Sequence, residues 1–236
     1  MSTLDAVVWH DLECGRYTAD LPIWEELAQR HPGTVLDVGA GTGRVALALA
    51  RSDHPVIALE RDAVLADELA RRARGLAVEV RCADACAFRL RSAVSLAIVA
   101  MHTIHLFPDR PAFLRCARGA LAPGGLLAVA LLGEGVEPFE LELEPDRVQV
   151  GAASYESTPT ALRLDRGAVV IERRRALVDE ASTRSSMEIV RLHPCDPDTL
   201  VAQARDAGFA ASTRRISIPP TVDHAGSEIV CLEAAS

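Results

Sequence analysis

The stretch TVLDVGAGTGRVALALA, residues 34–50, constrains the fold of this chain more than any other. Residues 35–38 read as a buried strand, and residues 42–51 as a helix. Between them stand Gly39, Gly41 and Gly43, spaced G-x-G-x-G. Glycine permits positive φ, and it lets a ligand approach the backbone with no Cβ in the way. The following helix turns its first N–H groups toward whatever sits over the turn. A dinucleotide fingerprint reads G-x-G-x-x-G/A, with a third small residue for helix–strand packing. Arg44 holds that place, which damages the dinucleotide reading but leaves it open. A glycine turn after a strand can also be no more than a sharp corner.

The alternation continues down the chain. Strands are expected at 56–60, 77–82, 94–100 and 126–132, and helices at 62–74 and 110–121. Asp62 is placed as an N-cap and Gly75 as a C-cap. Pro123-Gly124-Gly125 reads as a stop and a turn before the fifth strand. Strand and helix in this rhythm demand a parallel sheet with helices on both faces. Right-handed crossovers then gather the ligand loops at the carboxyl ends of the strands.

After Gly133 the rhythm changes to charged, alternating runs such as ALRLDRGAVVIERRRALVDE. Asp165-Arg166-Gly167 between two such runs is a hairpin signal. Three or four antiparallel strands are expected here, inserted after the fifth strand. A helix at 197–207, capped by Gly208, and strands at 211–218 and 228–232 complete the sheet. The fold class is therefore α/β: a doubly wound, mostly parallel seven-stranded sheet with an inserted antiparallel β subdomain. The expected divisions are an N-terminal helical cap at 1–32, a ligand-binding core at 33–133, the insertion at 134–194, and closing elements at 195–236. The Arg173-Arg174-Arg175 run is expected on a solvated strand edge.

Composition bounds the partners. Formal net charge is −8, which argues against nucleic acid or an anionic membrane as partner. All 25 basic residues are arginine, a mark of codon bias in a GC-rich bacterial genome and not of a binding surface. Aromatic residues make up 4% of the chain against 49% hydrophobic, so the core must be built from Leu, Val, Ala and Ile. The six cysteines lack metal-site spacing and fit reduced thiols in a cytoplasmic protein. Residues near the start form no basic apolar leader, and the apolar runs are too short to span a bilayer.

Carboxylates narrow the ligand. Asp37 precedes the glycine turn, Glu60 ends the second strand and Asp84 follows the third. The trio accepts from hydroxyls and amines, as on a ligand carrying an amino acid, a ribose and an adenine. It is a poor surrounding for pyrophosphate. Asp84 could also simply cap a helix.

The segments VLDVGAGTGRVALALA, VIALERD, CADACAF, VSLAIVAMHTIHLF and LAPGGLLAVAL resemble, in order and interval, the motifs of class I, Rossmann-like S-adenosylmethionine-dependent methyltransferases. The resemblance covers residues 17–132 and extends more weakly through DPDTLVAQARDAGF. It implies S-adenosylmethionine as cofactor and S-adenosylhomocysteine as product. It implies that the backbone of Gly39, Ala40 and Gly41 packs on the methionine moiety while Asp37 organises its ammonium. Glu60 would bind the ribose, with Arg61 near the adenosine. Asp84 would accept from the adenine amino group, and Ala85 would lie beside the ring. Ala100 and Met101 would line the methyl channel, and Tyr17 would cover the cofactor.

A general base is needed only for an acceptor that must lose a proton. His102 is the preferred candidate, with His105, His10, Asp11, Glu13 and His224 behind it; a hydrogen-bonded structural histidine is the bland alternative for each. No N/D-P-P-Y tetrad follows the fourth strand, which argues against the amine and amide methyltransferases that carry it. The expected activity is methyl transfer to O or N of a small metabolite, with the insertion covering the acceptor or building a homodimer. An NAD(P)-dependent oxidoreductase and a non-catalytic cofactor-binding protein remain the alternatives.

Overall fold

The computed structural model describes residues 2–133, 138–140, 144–179, 182–219 and 226–235. The leader holds α1 (Thr3–His10), a π-helical turn (Asp11–Gly15) and α2 (Leu21–Arg30). An alternating stretch follows: β1 (Val35–Val38), α3 (Arg44–Arg51), β2 (Val56–Glu60), α4 (Ala63–Arg72), β3 (Val78–Cys82) and β4 (Val94–Val99). A 3-10 turn (Thr103–Leu106), α5 (Arg110–Ala120) and β5 (Leu121–Leu132) complete it. The insertion supplies β6 (Phe139–Glu140), β7 (Asp146–Val150), β8 (Ala153–Asp165), β9 (Ala168–Val178) and β10 (Thr183–Leu192). The chain then runs through α6 (Pro197–Asp206), β11 (Phe209–Ile218) and β12 (Ser227–Ala234).

Contacts group these elements into two units, Met1–Arg16 with Gly135–Pro194 and Tyr17–Glu134 with Cys195–Ser236. The leader, read from the sequence as one cap over 1–32, divides between them after Arg16.

The larger unit is the seven-stranded sheet, ordered β11-β12-β5-β4-β1-β2-β3. Strands β1 to β5 are parallel; β12 runs antiparallel to both β5 and β11. Strands β1 and β2 are buried at every position, as central parallel strands covered on both faces must be. Alternate residues feed two cores. Leu36, Val38, Ile57 and Leu59 join Phe113 and Leu200, whereas Val35, Val56 and Ala58 join Trp24, Leu49 and Leu69. Apart from Trp24 and Phe113, the largest fully buried side chains are leucines and isoleucines. The winding reverses between β1 and β4, which puts the ligand crevice of such a sheet at their carboxyl ends.

Among the boundaries that differ from expectation, including the end of α4, which Ala73 and not Gly75 caps, two have local reasons. Helix α3 starts at Arg44, not 42, because Gly43 takes the N-cap position with φ of 102°. Pro123-Gly124-Gly125 does not precede β5 but lies within it, as a register shift against β4 between Val94 and Leu96. Asp62 caps α4 as expected, accepting from the N–H groups of Val64 and Leu65.

The smaller unit is a five-stranded antiparallel sheet, ordered β10-β9-β8-β6 with β7 also on β8. Arg166 and Gly167, both at positive φ, form the two-residue turn of the β8–β9 hairpin. Helix α1 opens with a capping box between Ser2 and Asp5. It packs Val8 and Trp9 against Tyr155 and Leu177. The arginine run is not at a strand edge: β9 pairs with β8 on one side and β10 on the other. Arg175 is largely buried and forks onto Glu13, Nε to Oε1 at 2.8 Å and Nη2 to Oε2 at 2.6 Å. Strand periodicity assigns faces without saying which element covers them or which strand lies at an edge.

Among the described residues no helix is long and apolar enough to cross a membrane. No cluster of His, Cys, Asp and Glu among them could hold a metal ion.

Candidate functional site

The glycine turn is folded onto its own strands. The N–H groups of Gly39 and Ala40 both donate to the Leu59 carbonyl, and that of Gly43 donates to the Ala40 carbonyl. Gly41 N–H donates to Glu60 Oε2 at 2.8 Å. The Glu60 carboxylate is buried at the end of β2, and its other oxygen accepts from Asp62 N–H at 2.9 Å. The turn therefore shows a ligand its bare Cα surface and a carboxylate, with these four amides already engaged.

Two glycines are required here for different reasons. Gly39 has φ of 72°, and a Cβ on it would fall 2.4 Å from Thr103 Cγ2; the loops after β1 and β4 touch at this point. Gly43 packs so closely that its Cβ would meet Leu69 Cδ1 at 2.3 Å. Gly43 is thus the residue that must be small, because Leu47 of α3 and Leu69 of α4 close over it, and the next position carries a long side chain.

That side chain, Arg44, turns to the leader. It forks onto Asp20, Nη1 to Oδ1 at 2.5 Å and Nη2 to Oδ2 at 2.8 Å, and Nη1 also donates to the Tyr17 carbonyl. Trp24 Nε1 donates to Asp20 Oδ2 at 2.8 Å. Asp20 was not singled out from the sequence; placed before α2 it reads as an ordinary helix cap, and its partner lies 24 residues away. Burial and the Asp20 carboxylate push the Tyr17 hydroxyl above its ordinary value.

Asp37 is the one polar residue of β1, and it is buried. Its Oδ2 accepts from Ala46 N–H at 3.0 Å, so it serves as the cap that glycine cannot give α3. Burial pushes its pKa up to about 7; Glu60 and Asp20 also raise it, while Arg44 and the Ala46 bond oppose the rise. The strand-end residues lie as the spacing demands. Arg61 and Asp84 are exposed, Ala85 is buried, and Asp84 Oδ1 accepts from Cys86 N–H at 2.8 Å.

After β4, Ala100 is buried and Met101 adopts φ of 51°. A non-glycine residue in that region costs about 1–3 kcal/mol and is held there by its surroundings. His105 is buried and its Nε2 accepts from Leu132 N–H at 3.0 Å. An accepting nitrogen carries no proton, so the ring is neutral and fastens the end of β5. His102 is partly buried, with its ring centre 6.4 Å from that of His105. Of the leader candidates, His10, Asp11 and Glu13 belong to the smaller unit, where Glu13 is bound to Arg175 and to the Ser157 hydroxyl. His224 lies outside the described residues.

The chain matches known proteins by family and by fold. The model of a family described as "Methyltransferase domain" matches residues 35–125. No curated protein sequence matches the chain. A sugar N-methyltransferase from a Streptoalloteichus species is similar in structure, with a TM-score of 0.78 at 15% identity over 98% of this chain and 92% of that one. DesVI of Streptomyces venezuelae gives 0.77 at 15% identity, over 100% and 99%. An S-adenosylmethionine-bound amino pentose methyltransferase of Micromonospora echinaspora, involved in calicheamicin biosynthesis, gives 0.73 at 18% identity, over 95% and 96%. Residues 35–125 thus match a methyltransferase domain, and the fold is the Rossmann-like one of these structures.

Proposed function

We propose that this chain is an S-adenosylmethionine-dependent methyltransferase of the cytoplasm, transferring a methyl group to an oxygen or nitrogen of a small metabolite. One observation carries the choice of cofactor. A dinucleotide turn offers its N–H groups to a pyrophosphate, whereas here Gly39, Ala40, Gly41 and Gly43 donate within the protein and a buried carboxylate stands beside them. That surface suits the uncharged flank of a methionine moiety and repels phosphate.

The remaining residues fit the group. Each Glu60 oxygen accepts one N–H and keeps a lone pair, enough for ribose hydroxyls to donate to. The exposed Asp84 keeps Oδ2 for an adenine amino group, with Ala85 beside the ring and Arg61 near the adenosine. Asp37 acts by seating α3, and Tyr17 covers the cofactor. Bound S-adenosylmethionine would supply an electrophilic methyl on a sulfonium with a good leaving group. Ala100 and Met101 line its path and exclude water, and His102 takes a proton from an acceptor that must lose one. His105, whose Nε2 is engaged, positions this loop.

The sugar N-methyltransferase and amino pentose methyltransferase among the similar structures support an amine-bearing sugar as the first acceptor to try. The test uses S-adenosylmethionine with a labelled methyl and paired panels of amino and hydroxyl sugars. Acceptor-dependent formation of S-adenosylhomocysteine is expected, slowed about 100-fold or more in His102→Ala if proton removal is part of the step. Tight cofactor binding with no transfer to any acceptor would favour the non-catalytic alternative.

A further inference from the structure

Arg44 stands at the first position of α3, where the helix dipole disfavours a cation. Asp20 supplies the compensating charge: the Asp20 side chain is 1% exposed and that of Arg44 10%. The contacts converge on a short segment. Nη1 holds the Tyr17 carbonyl at 2.8 Å, and the guanidinium carbon lies 5.4 Å from the centre of the Tyr17 ring, within cation–π range. The fork and the Trp24 indole hold Asp20, while Thr18 and Ala19 between them are exposed. One side chain of the glycine turn therefore grips both ends of residues 17–20.

We propose that Arg44 is a positioning residue of the cofactor site, fastening Tyr17 beside the glycine turn through its fork on Asp20. The inference rests on the proposed function and adds a residue that acts through Tyr17. Its physical basis is preorganisation. A tyrosine already held in place adds contact without the ordering cost that a loose segment would incur on binding. Arg44→Met keeps length and helix propensity but releases the segment. Arg44→Lys keeps the charge but loses the planar fork, and should restore part of the effect.

The test is calorimetric titration of the full chain with S-adenosylhomocysteine, for wild type, Arg44→Met, Arg44→Lys, Tyr17→Ala and the Tyr17→Ala/Arg44→Met double variant. Amide exchange over residues 17–24 without ligand accompanies it. Expected are a Kd about tenfold or more weaker in Arg44→Met, a smaller loss in Arg44→Lys, and faster exchange over 17–24. Tyr17→Ala should add less than about twofold in the Arg44→Met background, a coupling that general destabilisation does not produce. Asp20→Asn, whose amide nitrogen cannot accept and so loses one arm of the fork together with the charge, provides a second release should Arg44→Met fail to fold. If wild type binds and Arg44→Met binds equally well, or the two losses multiply independently, the inference falls alone. If wild type does not bind, the functional reading falls and takes the inference with it.

Discussion

Arg44 and Arg175 each fork onto a leader carboxylate and each lie over a leader aromatic, Asp20 and Tyr17 in the larger unit, Glu13 and Trp9 in the smaller. Their surroundings differ. Arg175 also holds Glu188 at 2.9 Å, and the Ser157 hydroxyl completes Glu13 at 2.8 Å. Burial raises the Glu13 carboxyl, but the bonds from Arg175 and Ser157 and the charges of Arg175 and Arg173 bring it below its ordinary value. The Arg44 fork instead shares its field with Asp37 and Glu60, the carboxylates of the glycine turn. The same device holds the fold in one unit and borders the glycine turn in the other.

The largest effect expected from this contrast is on stability. Arg175→Met leaves Glu13 buried without its fork, and removing one partner of a buried pair costs about 3–5 kcal/mol. Urea unfolding would measure the loss, and pairing the change with Glu13→Gln should recover much of it. The folded fraction should keep its affinity for S-adenosylhomocysteine. An affinity loss as large as that of Arg44→Met would break the comparison.

A smaller effect separates the units by pH. The Asp37 pKa, raised by burial to about 7 from 3.8, makes the folded chain hold a proton that the unfolded chain releases. Its contribution is therefore full below about pH 4, declines as pH rises to about 7 and levels above that. Glu13 is lowered, so its contribution is present above the ordinary carboxylate range and lost as pH falls through its folded value. Unfolding free energies from pH 4 to 8 should fall less steeply in Asp37→Asn. Glu13→Gln should flatten only the acid limb. An unchanged slope in Asp37→Asn would show that this carboxyl is not held protonated.

The sequence made legible what depends on local pattern. The glycine turn follows a buried strand, and Glu60 and Asp84 sit at strand ends because parallel strands deliver their loops to one side. Pairings across long separations were not legible. Arg44 was informative in the sequence only as a residue too large for its place, since nothing local shows that Gly43 takes over the close packing or that Asp20 waits to receive the guanidinium. Asp37 stood out as a polar residue in an apolar strand, but its bond to Ala46 depends on where α3 docks. The buried Arg175 was missed for the same reason, because α1 and the turn after it, distant in sequence, bring Glu13 to the sheet.

In the function proposed above, the glycine turn and Glu60 hold S-adenosylmethionine and not a dinucleotide. Calorimetric titration with S-adenosylhomocysteine, with NAD in parallel, tests it most directly. One-to-one binding of S-adenosylhomocysteine alone is expected, weakened about 10- to 100-fold in Glu60→Ala, the range for lost hydrogen bonds to a charged group. Preferential binding of NAD, or an S-adenosylhomocysteine affinity untouched by Glu60→Ala, would contradict it.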